Sequence, residues 1–132
     1  MLRIHARFKL TTPVDPFAEG LTFSLVNDKG DVYRAALEPG DLEKNGKRYG
    51  FKDETAQIDG IGIRGGLSSV RVKVMMSEGD PYLVFYVTAF GDLSAATESR
   101  METQVKVGDD VGYLDAEWTP RKHGWKLLGN AF

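Results

Sequence analysis

The stretch LRIHARFKL, residues 2–10, decides the fold class of this chain. Apolar residues occupy every second position, and Arg, His or Lys occupies each position between them. Successive side chains of a β-strand point to opposite faces, so this pattern predicts a strand with one face in the core and one in solvent. Residues 70–76 repeat the alternation and predict a second strand of the same kind.

Turn-forming residues divide the rest of the chain into short apolar segments. NDKGD at 27–31 and GDD at 108–110 predict the turns of two hairpins, because Gly, Asn and Asp adopt turn conformations readily. The predicted strands are 2–10, 21–25, 32–37, 49–51, 70–76, 82–90, 101–107 and 111–118, with another short strand within 59–66. One or two helical turns are expected within 91–100, capped by Asp92.

The number and spacing of these strands predict an all-β fold. We expect an antiparallel β-sandwich of Ig-like or jelly-roll type, with roughly eight or nine strands and at most one short helix. The length of 132 residues suits a single domain spanning 1–132. A composition of 42% hydrophobic and 27% charged residues is that of a globular chain, not a disordered one.

Composition also excludes several kinds of site. The chain has no cysteine, which rules out disulfides and thiolate metal sites. A net charge of −2 does not favour a nucleic-acid partner, so none is predicted. No apolar run approaches the roughly 20 residues of a membrane helix. The N-terminus passes directly into a strand pattern, so no signal peptide is predicted in this sequence.

The order of turns and strands resembles a family of β-sandwich modules in bacterial secreted and envelope proteins, most of which lack an assigned function. The residues that carry the resemblance are 13–17, 20–25, 30–33, 38–40, 47–53, 60–61, 104–109 and 124–127. The resemblance implies a sandwich fold and an extracellular or periplasmic location. It implies no activity.

A glycine-rich stretch at Gly60–Gly65 has the spacing GxGxxG. That spacing binds a dinucleotide only where it follows a strand and opens a helix, whose N-terminal amides receive the pyrophosphate. Here it leads into a Val-rich strand. We therefore interpret it as glycine bends at a corner of the sheet.

His5 and His123 are the two histidines of the chain. A catalytic histidine needs a reacting group within reach, and usually a partner that orients it. His5 is expected on the outward face of the first strand, between two arginines, and His123 in a polar turn. Neither pattern predicts catalysis.

Tyr113, Asp115 and Glu117 are spaced by two and are expected on one face of the last long strand. Paired carboxylates can catalyse glycoside hydrolysis, so this face is the candidate site of a small hydrolase. Solvated acids on a hairpin are the more common explanation.

Two turns could supply oxygen ligands to calcium, which prefers carboxylate and carbonyl oxygens. The candidate ligands are Asp28 and Asp31 in one turn, and Asp109 and Asp110 in the other. Neither turn has the full EF-hand pattern, so calcium is the one weakly indicated cofactor.

Aromatic residues could form a platform that stacks on sugar rings. The candidates are Tyr82, Tyr86, Trp118 and Trp125. Trp118 is in register with Leu114 and Ala116, which predicts that it faces the core.

Cations recur on the outward positions of the two clearest strands, at Arg3, Arg7, Lys9, Arg71 and Lys73. If these strands are neighbours, the cations form a basic stripe. We interpret them as a solvated face that discourages strand-to-strand aggregation.

These patterns favour a non-enzymatic structural or interaction module whose partner is a protein or a glycan. A carbohydrate-binding module and a small hydrolase are the alternatives. Residues 82–90 are apolar on both faces, which predicts a strand in the middle of a sheet or one with a covered outer side, and allows a homodimer.

Overall fold

The computed structural model describes residues 1–10, 14–91, 93–97, 99–121 and 124–131. The strands are β1 Leu2–Lys9, β2 Leu21–Asn27, β3 Gly30–Leu37, β4 Glu43–Asn45, β5 Arg48–Lys52, β6 Leu67–Ser77, β7 Asp80–Ala89, β8 Arg100–Val107, β9 Asp110–Glu117, β10 Thr119–Arg121 and β11 Gly124–Ala131. The helices are α1 Pro16–Glu19 and α2 Thr55–Asp59. The predicted all-β character is confirmed. The described residues contain more strands than the expected eight or nine, because β4, β10 and β11 were not predicted.

The strands form two sheets. The large sheet has seven strands in the order β10-β11-β1-β7-β6-β5-β4, and the small sheet has the order β3-β2-β8-β9. Neighbouring strands are antiparallel except β1 and β11, which pair in parallel from Leu2 with Trp125 to Phe8 with Ala131. The prediction of a purely antiparallel structure was therefore wrong at this one pairing. This pairing joins the first long strand to the last one, which are far apart in sequence. Turn residues predict only the pairing of consecutive strands, so they do not predict this contact.

The inner faces of the two sheets meet in one hydrophobic cluster. Phe85 of β7 stacks against Phe8 of β1 with ring centroids 5.0 Å apart, and meets Phe23 of β2 edge-on at 6.4 Å. All three rings are almost fully buried. Burying a phenylalanine side chain contributes about 1.5–3 kcal/mol to the free energy of unfolding, so these rings contribute strongly to the packing of the two sheets.

Helix α1 forms because its N-terminus is capped by its own neighbours. The carboxylate of Asp15 accepts hydrogen bonds from the backbone N–H of Phe17 at 3.1 Å and of Ala18 at 3.4 Å. In return, Glu19 accepts one from the N–H of Asp15 at 2.9 Å, which completes a reciprocal cap. Pro16 at the first helical position needs no hydrogen-bond acceptor for its nitrogen.

The expectation of at most one short helix, placed within 91–100, was wrong in number and in place. Helix α2 ends at Gly60, which adopts a left-handed φ of 73°. The described residues of 91–100 form turns and bends up to the start of β8, while Asp92 lies outside them. The side chain of Asn27 donates a hydrogen bond to the carbonyl of Ala95 at 2.7 Å. This bond connects the segment before β8 to the turn between β2 and β3.

Thr103 on the inner face of β8 is fully buried, and its hydroxyl has no hydrogen-bond partner among the described residues. A buried polar group without a partner costs about 1–3 kcal/mol. We expect Thr103→Val, which replaces the hydroxyl by a methyl group of similar size, to raise the free energy of unfolding by about 1 kcal/mol in urea denaturation. Val105→Thr, the opposite exchange at the next buried position of β8, should lower it. A destabilised Thr103→Val variant would show that the hydroxyl is satisfied.

Candidate functional site: the outer face of the large sheet

The outer face of the large sheet is rich in cations. Among the residues whose side chains the structure describes, strand register places eight Lys and Arg there: Arg3, Arg7, Lys9, Arg48, Lys52, Arg71, Lys73 and Lys126. Glu43 and Asp80, each the first residue of its strand, are the acids that register places on this face among the described residues. We call this surface the basic face. Positive charge is thus concentrated on one side of a chain whose net charge is −2.

The two strands expected to carry a basic stripe are not neighbours, because β7 lies between β1 and β6. They still present their cations on the same face, and β7 adds Tyr82 and Tyr86 between them. β7 is the fourth of seven strands, as its two-sided apolar pattern suggested. The central position of β7 explains the pattern without a second copy of the chain, although Tyr86 on its outer side is 40% exposed.

The tyrosines of β7 are packed against flanking cationic or aromatic side chains. His5 of β1 stacks on Tyr86 with ring centroids 4.0 Å apart and an interplanar angle of 20°. Arg71 of β6 lies over the same ring, with its guanidinium carbon 5.0 Å from the centroid. Arg7 lies over Tyr82 at 4.6 Å. These contacts hold two guanidinium groups in fixed positions on the basic face.

A groove of about 1210 Å³ runs over β4 to β7 on this face. Its charged lining consists of five cations, Lys44, Arg48, Lys52, Arg71 and Lys73, and two acids, Asp41 and Glu43. Gly50 of β5 contributes no side chain to its floor. A Cβ atom added at Gly50 would meet no atom within 4 Å, so the groove is open above it. Glu43 of β4, in register with Gly50, lies at one border of the groove.

The position of the cations argues against their first interpretation. Charged residues that prevent aggregation belong on edge strands, where backbone groups are unpaired. β1 and β6 are interior strands with a partner on each side, and the edges of the large sheet are β10 and β4. Protection of an edge therefore does not explain the basic face.

The loop between β5 and β6 is held rigidly by two aspartates. One carboxylate oxygen of Asp53 accepts hydrogen bonds from the hydroxyl of Thr55 at 2.6 Å and from its N–H at 2.9 Å, and the other accepts from the N–H of Ile63 at 2.8 Å. Asp59 accepts from the N–H of Ile61 and of Gly62, both at 2.8 Å.

These bonds explain the GxGxxG stretch. Gly60, Gly62 and Gly65 all have positive φ, and the stretch leads into β6 and not into a helix. The interpretation as glycine bends agrees with this geometry, and the expected short strand within 59–66 was wrong. The bends require φ values that a strand residue does not adopt.

The hydrogen bonds of Asp53 and Asp59 make the stability of the fold depend on pH. Hydrogen bonds from the Thr55 hydroxyl and the Ile63 N–H lower the pKa of Asp53, and those from the N–H groups of Gly62 and Ile61 lower the pKa of Asp59, both from 3.8. A carboxyl whose folded-state pKa is lowered stabilises the fold above its unfolded pKa, and this stabilisation is lost as the pH falls through the folded-state value. The free energy of unfolding should therefore decline as the pH drops through 3.8.

We expect Asp59→Asn to reduce that decline, because the amide oxygen can still accept both hydrogen bonds but carries no charge to lose. Urea denaturation of the wild type and the variant at neutral pH and below pH 3.8 measures the difference. An equal decline in both proteins would contradict the role of Asp59.

The structure separates most of the other predicted site residues from the basic face. His5 is half-buried on that face against Tyr86, and His123 lies outside the described residues. Tyr113 and Glu117 are exposed on β9, an edge strand of the small sheet, while nothing is described of the Asp115 side chain. The candidate hydrolase residues and the groove are therefore on different sheets.

The proposed calcium ligands lie in two hairpin turns. Asp28, Asp31 and Asp109 are exposed and Asp110 is half-buried, and Asp31 forms an ion pair with Arg34 at 3.4 Å. No group of three or more His, Asp or Glu side chains in the described part of the chain could hold a metal ion.

The four aromatic candidates do not form one platform. Trp118 is 2% exposed and lies in the core, as its register predicted, and Trp125 is half-buried against the core. Tyr82 is 8% exposed and Tyr86 40%. Only the two tyrosines are on the basic face.

Arg48, Lys52 and Gly50 of the groove were not identified from the sequence. β5 is short, with apolar residues at Tyr49 and Phe51. Its outward residues can be assigned to the face of the large sheet only when the pairing of β5 with β6 is known. The sequence feature that could have identified them is the alternation of Arg48, Gly50 and Lys52 with those two aromatic residues, which is typical of a strand with one outward face.

Comparison of the chain with protein-family models, curated proteins and solved structures found no match. The resemblance to envelope modules therefore remains a prediction. Neither short helix of the described chain is long and apolar enough to cross a membrane.

Proposed function

We propose that the chain is a non-enzymatic β-sandwich interaction module that binds an anionic ligand on the basic face. The observation that carries this proposal is the segregation of eight cations and two acids on one sheet face of a chain with net charge −2. All eight of these cations lie on interior strands of the large sheet, so the charged positions are well defined.

A concave surface strengthens the proposal. The groove has a volume of about 1210 Å³, and cations that line it raise the local concentration of anions. The sandwich of Ig-like or jelly-roll type is supported by the two facing sheets, and a structural module with a binding face is a common use of such folds.

A second surface also supports an interaction role. Ile58, Ile61 and Ile63 are 84%, 66% and 66% exposed on the loop that Asp53 and Asp59 hold rigid. Exposed large apolar side chains that lie close together in the sequence are compatible with a surface that contacts another molecule.

Chromatography on a sulfonated cation-exchange resin at pH 7 tests the proposal. A chain with net charge −2 and evenly mixed charges would flow through, whereas the basic face should retain the protein until salt screens it. We expect retention at low salt and release at moderate salt. Passage through the resin without delay would contradict the proposal.

A further inference from the structure

We propose that the ligand of the basic face is a linear acidic polysaccharide of the polyuronate type, seated in the groove across strands β5, β6 and β7. This inference rests on the proposed function and adds the chemical class of the ligand. It follows from three properties of the face: the side-chain contacts already made to its two tyrosine rings, the arrangement of the cations, and the hydrogen-bonding groups between them.

The covered rings disfavour ligands that bind by stacking. His5 and Arg71 belong to the strands on opposite sides of Tyr86, and both contact its ring. Tyr82 is buried beneath Arg7. Single-stranded nucleic acids are bound largely by stacking of bases on free aromatic faces, and neutral sugars use such faces as well. The basic face instead presents guanidinium groups, whose planar fork matches a carboxylate.

One pair of groove cations, Arg48 and Lys73, is spaced like two neighbouring charges of a polyuronate. Lys73 and Arg48 are in register on neighbouring strands. Arg71 lies two residues from Lys73, opposite Gly50, and Lys52 lies four residues from Arg48, opposite Ser69. Lys52 also forms an ion pair with Glu54 at 3.5 Å. Adjacent strands are about 4.8 Å apart, which is close to the length of one sugar ring. A polyuronate that crosses the strands would bring two successive carboxylates near Arg48 of β5 and Lys73 of β6, while β7 offers Val84 at this register position.

Neutral and acidic groups line the same groove and suit hydroxyl groups. Ser69 and Asn45 can donate and accept hydrogen bonds, and the carboxylate of Glu43 can accept them from sugar hydroxyls. An acceptor such as Glu43 would repel a ligand that carries only anionic groups. Its place at the border of the groove therefore fits a ligand with both carboxylates and hydroxyls.

Isothermal titration calorimetry, which measures the affinity of the full chain for four matched probes, tests the inference. The probes are a polygalacturonate oligomer, the same oligomer with its carboxyl groups reduced to alcohols, an oligothymidylate, and polyglutamate. We expect polygalacturonate to bind at least about tenfold more tightly than each of the other three, a difference of about 1.4 kcal/mol.

Three results would overturn the inference. Equal binding of the reduced oligomer would show that carboxylates are not recognised. Binding of oligothymidylate or polyglutamate as tightly as polygalacturonate would leave the anion-binding function in place but reject the polysaccharide. Absence of binding by every anionic probe would reject the proposed function as well.

A variant that fills the groove distinguishes seating in it from general attraction to the face. Gly50→Trp should place an indole in the open space above β5 without changing any charge, and we expect it to weaken polygalacturonate binding at least about tenfold. Tyr113→Trp, which enlarges an exposed side chain on the small sheet, should leave binding unchanged. Wild-type affinity in Gly50→Trp, with a folded protein confirmed by circular dichroism, would reject the groove as the site.

Discussion

Reversing two charges of the groove, in the double variant Arg48→Glu and Lys73→Glu, is expected to weaken binding of polygalacturonate by about 100-fold or more. The two residues are in register on β5 and β6 and line the groove. Each substitution replaces an attraction by a repulsion, and about 1.4 kcal/mol at each position corresponds to this factor. Neither side chain covers Tyr82 or Tyr86, so the rest of the face should keep its arrangement.

The matched control makes the same change in net charge elsewhere. Lys29→Glu and Lys106→Glu alter two exposed cations of the β2–β3 turn and of β8, away from the basic face. If the groove binds the ligand, the control should keep affinity within a few-fold of the wild type at physiological ionic strength, where charges more than about 8 Å apart are largely screened. Equal losses in both double variants would show that net charge, and not the groove, governs binding.

Adding one methyl group at Gly112 of β9 is expected to produce the largest loss of stability. Gly112 is buried, and a Cβ atom there would overlap the ring and the Cβ of Phe8 on the facing sheet. An alanine in a strand normally stabilises relative to glycine by about 0.4–1 kcal/mol, because the unfolded chain loses freedom. Here overpacking should dominate, so we expect Gly112→Ala to lower the free energy of unfolding by about 1–3 kcal/mol.

Gly50→Ala is the matched control for that substitution. Both glycines lie within strands of this fold and neither requires a positive φ, but a Cβ at Gly50 has open space around it. We expect Gly50→Ala to be neutral or slightly stabilising in urea denaturation. Combining Gly112→Ala with Phe8→Leu should recover part of the loss, because the smaller side chain makes room. Wild-type stability of Gly112→Ala would contradict the close approach of the two sheets at this point.

The sequence predicted the parts of the fold that depend on local pattern. Alternation in residues 2–10 and 70–76 correctly placed β1 and β6. The apolar faces of 82–90 left two alternatives open, and the interior position of β7 is one of them. Turn chemistry likewise predicted the hairpins of β2 with β3 and of β8 with β9. In each case the decisive interactions are between residues close in sequence.

The candidate site could be predicted only in part, because it depends on long-range pairing. Five of its cations were identified, but their common face follows from β7 pairing with both β1 and β6, and the sequence does not specify that order of strands. The parallel pairing of β1 with β11 and the contact of Gly112 with Phe8 are likewise contacts between distant residues. Helix α1 was missed because a single turn depends on its cap, here Asp15 and Glu19, more than on any periodic pattern.

Mapping of amide chemical shifts during titration with polygalacturonate tests the role of the basic face most directly. The account predicts that perturbed amides cluster in β5, β6 and β7, with Gly50 and Arg71 among the most affected, while the outer face of the small sheet stays unchanged. Perturbations centred on β8 and β9, or spread evenly over the molecule, would contradict it.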